Sequence, residues 1–62
     1  MTLSELKEHC AKGKIGMIPK WLGYLRWDYS NHKIYFSHND YRMEEEELDK
    51  LVGNRNDLYY II

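Results

Sequence analysis

Apolar and polar residues alternate most regularly over residues 21–37. Trp21, Leu25, Trp27 and Tyr29 take alternate positions, with Gly23 among them. Leu22, Tyr24, Arg26 and Asp28 take the others. A period of two puts the first set on one face of a strand and the second set on the opposite face. Ser30, Asn31 and His32 break the pattern, and residues 33–37 resume it with Ile34 and Phe36 as the apolar pair. The stretch predicts a β-hairpin. It has no Asn-Gly pair, so the expected connection is a loop of about three to five residues.

The flanking segments change period. Leu3, Leu6 and Cys10 recur at helical spacing, Ala11 widens their stripe, and Glu5, Lys7, Glu8 and Lys12 take the wet side. Thr2 and Glu5 fit a capping box, and Gly13 suits the position just past a helix end. Residues 14–18 predict a short strand with Ile15 and Met17 facing one way and Ile18 the other. Pro19, which lacks an N–H, follows as an edge or turn residue. His38, Asn39 and Asp40 predict a turn, and residues 41–43 a brief extension. With Glu44 as N-cap, Met43 and Leu48 have the spacing of a hydrophobic staple. Leu48, Leu51 and Val52 form the expected buried stripe of that helix, Gly53 its stop, and residues 58–62 a closing strand.

The order helix-β-β-β-helix-β predicts a small single α+β domain with a mostly antiparallel four-stranded sheet. The last strand is expected beside the first and parallel to it, because a helical crossover joins it to the third. Both helices are expected on one face, over Trp21, Leu25, Trp27, Ile34, Phe36, Leu58, Tyr60 and Ile62. Leu22, Tyr24, Arg26, Tyr35, Tyr59 and Ile61 are expected on the other.

Length limits this core. A chain of 62 residues makes one domain, and at that size only about 60% of the unfolded surface is buried. Aromatic side chains, 15% of the chain, compensate because each buries ~150–250 Å². Net charge is −1, from nine basic and ten acidic residues, which opposes sequence-independent binding to phosphates. The single cysteine cannot form an internal disulfide and, with no leader-like N-terminus, fits a reducing cytoplasm. No run approaches the ~18–20 apolar residues of a membrane span. Starting at Met1 and ending within an apolar strand, the chain is expected to be a complete small gene product.

Candidate chemistry is sparse. The glutamates at 44–47 fan out by ~100° per residue on a helix and cannot converge on one point, but they suit a positive helix N-terminus. His9, Cys10, His32 and His38 lack metal-ligand spacing. No metal, cofactor or catalytic residue is expected. The outer sheet face is the candidate site: Tyr24, Tyr35 and Tyr59 side by side across three strands, with Arg26, Lys33 and Leu22. Tyr and Arg are enriched at protein interfaces, and aromatics with basic groups on an open sheet can also stack single-stranded bases. The expected function is a non-enzymatic protein-binding or self-associating module of the accessory or inhibitor type found among small bacterial and phage proteins. Its partner would be an unidentified protein or a second copy in a homodimer. Single-stranded nucleic-acid binding is the alternative.

Overall fold

The computed structural model describes residues 1–62. Its elements are α1 (Leu3–Ala11), β1 (Ile15–Met17), β2 (Tyr24–Asp28), β3 (Lys33–His38), β4 (Tyr41–Met43), α2 (Glu45–Val52) and β5 (Tyr59–Ile61). The strands form one sheet of order β4-β3-β2-β1-β5, in which every pair is antiparallel.

Local signals account for most boundaries. Thr2 and Glu5 close the capping box of α1. At its other end the Gly13 N–H donates to Cys10 O (2.9 Å) and the Lys14 N–H to His9 O (3.1 Å). This is the Schellman pattern, with Gly13 at φ 100°. Glu44 is the N-cap of α2 and Gly53 its C-cap. The β2–β3 hairpin closes through residues 29–32, with Asp28 paired to Lys33. His32 takes φ 55° there, and Asp28 Oδ1 accepts from the backbone N–H groups of Ser30 (2.9 Å) and Asn31 (3.2 Å). An aspartate bonded to its own following backbone is an Asx turn, a substitute for Asn-Gly.

The sheet has five strands, not four. Asn39, at φ 53°, supplies the positive-φ residue that a two-residue hairpin turn needs, so Tyr41 pairs with His38 and β4 forms. That strand also inverts the end of the fold. The chain enters α2 from β4, one strand later than expected, so β5 runs antiparallel to β1 rather than parallel. The crossover through α2 joins the two outer strands of the sheet.

The core is more aliphatic than the sequence pattern predicts. Leu6, Leu25, Ile34 and Leu48 are wholly buried, with Leu3, Cys10, Ile18, Phe36, Val52 and Leu58 around them. Trp21 and Trp27 pack against this cluster from its rim, and Trp21 meets Phe36 edge-on at 5.2 Å. Tyr29 falls in the hairpin loop and is exposed. Tyr60 lies on the helix side, since it pairs with Gly16, and it stacks on His9 at 4.4 Å. Tyr60 and Ile62 nonetheless remain exposed, because β5 forms the edge of the sheet. Ala11 and Leu51 are exposed as well: both helices are short, and α2 packs chiefly on β3, leaving Leu51 outside the contact. Gly16 lets α1 approach the sheet: a Cβ there would lie 2.8 Å from Leu6 Cδ2 and 2.9 Å from Leu25 Cβ.

Candidate interaction face

Both helices contribute to one core on one side of the sheet. The strand registers define what the other side carries. One row across the sheet runs Ile61, Ile15, Arg26, Tyr35. Glu44, still extended at φ −78° and ψ 165°, continues it opposite Tyr35. The second row runs Tyr59, Met17, Tyr24, Ser37, Arg42. Asp28 and Lys33 make a shorter third row. No helix or loop layer covers these rows.

The predicted site residues are therefore on this face, but not arranged as expected. Tyr24 and Tyr59 share a row with Met17 between them, while Tyr35 sits in the other row beside Arg26. Lys33 is removed to the third row, where Nζ meets Glu46 at 2.8 Å. That bond raises the lysine above its ordinary range and lowers the glutamate. Leu22 precedes β2, is 75% exposed, and rims an open groove of about 460 Å³ shared with Tyr24, Arg26 and Ser37.

Arg42 organises one half of the face. Its Nη2 donates to Asp28 Oδ2 (2.7 Å) and its Nε to Glu44 Oε2 (2.6 Å). The guanidinium lies 3.9 Å from the Tyr35 ring centroid, a cation–π distance. Hydrogen bonds from Arg42 first, and from Asn31 after it, hold the Asp28 carboxyl down at about 2. Arg42 is correspondingly raised, through Glu44 first and then Asp28. The sequence offers no sign of this span, because Arg42 reaches Asp28 across an intervening strand.

The other half has no such network. Ile15 pairs beside Arg26 and Met17 beside Tyr24, with Ile61 and Tyr59 one strand further out, and the side-chain partner of Arg26 is the Tyr24 ring at 5.6 Å. Ile15 and Met17 were predicted to share a face, but their place in the site depends on β1 lying beside β2. Nothing in their own segment says so.

The glutamates divide their work. Glu44 pairs with Arg42, and Glu46 with Lys33. Glu45, just past the end of β4, accepts the Ile34 N–H on Oε1 (3.0 Å), and its other oxygen meets Lys7 at 3.6 Å. Cys10 is a free, buried thiol. Burial pushes it up to about 11, so at neutral pH it is protonated and a poor nucleophile. It adjoins a cleft of about 160 Å³, below the ~300 Å³ at which ligand pockets begin. No three of the His, Cys, Asp and Glu side chains converge as metal ligands would, and no helix is long and apolar enough to cross a membrane. Comparison with protein families, curated proteins and solved structures gives no match.

Proposed function

We propose that this chain is a non-enzymatic protein-contact module of the cytoplasm, acting through the apolar half of its open sheet face. The observation that carries this reading is the row-by-row patch of Ile61, Tyr59, Ile15, Met17 and Tyr24 across β5, β1 and β2, with Arg26 at its margin and no layer above it. Contiguous apolar surface rimmed by polar groups marks interaction sites, and an arginine beside a tyrosine suits a protein interface. The free thiol at Cys10 is in keeping with a reducing compartment.

Replacing Tyr24 and Tyr59 together by Ser tests the reading. Both are more than 40% exposed, so the melt should move little while partner capture and self-association are lost. A double variant that keeps both would sink it. Oligonucleotide binding is disfavoured, because Arg42 and Lys33 are committed to carboxylates. Fluorescence anisotropy of a labelled single-stranded oligonucleotide should stay flat even at low salt, where phosphate contacts are strongest.

A further inference from the structure

We propose that the partner of this face is a second copy of the chain, packed sheet against sheet about a two-fold axis running across the strands between the two long rows. The proposal rests on the contact-face reading above and adds the identity and register of the occupant.

Such an axis lays each strand antiparallel over its own copy. Each residue of one row then faces the residue two positions away on the partner's same strand. An interface of this kind is isologous, so the face must complement itself. It does so column by column. On β1, Ile15 meets Met17, and on β5, Ile61 meets Tyr59, apolar on apolar. On β2, Arg26 meets Tyr24, a second cation–π contact like the one Arg26 makes within its own chain at 5.6 Å.

The remaining columns are polar and also match. The Tyr35 position on β3, with the Arg42 guanidinium over its ring, faces Ser37, and the Glu44 position faces the Arg42 position. Within one chain Arg42 bonds through Nε and Nη2, which leaves Nη1 for the partner's glutamate, whose side chain is 54% exposed. The competing two-fold axis, along β2, would set Arg26 on Arg26 and is opposed by like charge. Sheets packed in this manner stand ~10 Å apart with strands within ~30° of parallel, so the match is closest at the central strands.

The face spans the full width of the molecule. A stable pair needs on the order of 800 Å² from each partner, roughly a fifth of the 4256 Å² accessible here. Five strands at ~4.8 Å spacing make a face ~24 Å wide, comparable with the 26 × 23 Å extents of the whole molecule.

The test is solution mass of the full chain over a dilution series, by light scattering behind size exclusion. The unaltered chain should weigh twice its 7.6 kDa. Ile15→Lys and Met17→Glu should each be monomeric, with the dissociation constant raised on the order of 100-fold by a buried unpaired charge. Mixing these two variants should restore a dimer, because the lysine introduced in one copy then faces the glutamate introduced in the other. Tyr59→Lys, on the exposed edge strand, should break the pair without loading the sheet centre, and it serves if Ile15→Lys lowers the melt.

A wild-type chain that stays monomeric to ~1 mM overturns the proposal. So does a dimer that survives Ile15→Lys and Tyr59→Lys, or monomeric variants whose mixture stays monomeric. A monomeric wild type that still captures another protein through Tyr24 and Tyr59 removes the second copy and leaves the contact-face reading standing. If capture also ignores those tyrosines, both fall.

Discussion

On the β3–β4 side of the open face, Arg42 stretches from Glu44 to Asp28 over the ring of Tyr35. On the β5–β1 side, Ile61, Tyr59, Ile15 and Met17 carry no charge at all. The backbone is the same antiparallel ladder on both sides, so the difference lies wholly in the side chains. Exposed ion pairs are each worth only ~0–1 kcal/mol, and the wired side is little more stable for having them. What they change is availability. Every cation there already holds a carboxylate, and an apolar partner would have to desolvate the network to bind. The unwired side has one cation without a carboxylate partner, at the margin of its apolar patch, and covering that patch displaces water from Ile, Met and Tyr at no such cost.

Both halves rest on one core. Leu25 lies beneath both, wholly buried, so Leu25→Ala should cost ~2–5 kcal/mol. Hydrogen exchange should then report β1 and β4 opening together. Separate opening would mean that the two halves are independent units. Gly16→Ala comes next: its new Cβ would press on Leu6 and Leu25, and overpacking of this kind costs ~1–3 kcal/mol in denaturant melts.

Trp27→Ala should cost less than the ~3–5 kcal/mol of a fully buried tryptophan, because Trp27 sits at the rim of the core. A full-sized loss in chemical denaturation would place it at the centre instead.

Arg42→Gln acts on the wired half alone. With its largest hydrogen bond gone, the Asp28 midpoint, followed by carboxyl NMR, should climb from about 2 toward its ordinary 3.8. The sign follows from linkage. A carboxyl whose pKa is depressed on folding stabilises the fold above its unfolded value, near 3.8. That contribution is lost as pH falls toward 2. The variant should therefore show a shallower loss of stability between those limits than the unaltered chain. An unmoved midpoint would mean that the Asn31 and backbone bonds suffice. Arg26→Gln should have the smallest effect on the melt, since Arg26 bonds no carboxylate, while still weakening association measured by light scattering.

Features set within a few residues were legible in the chain alone. Thr2 with Glu5, Gly13, Glu44 and Gly53 bound the two helices where capping chemistry placed them. Alternation sorted Tyr24, Arg26, Tyr35, Tyr59 and Ile61 onto the open face, because side-chain parity along a strand needs no partner. It also put Leu25 inside, as helical spacing did Cys10. The last strand also lies beside the first, as expected, but its direction and the division of the face arose only on assembly of the sheet. Direction depends on the number of reversals, so three residues at Tyr41–Met43 sufficed to turn β5 around. With β5 on the free edge of β1, Ile15 and Met17 come to lie between Tyr59 and Tyr24. The reach of Arg42 to Asp28 exists only once β4 and β2 flank β3, because the carboxylate that takes its charge lies fourteen residues away.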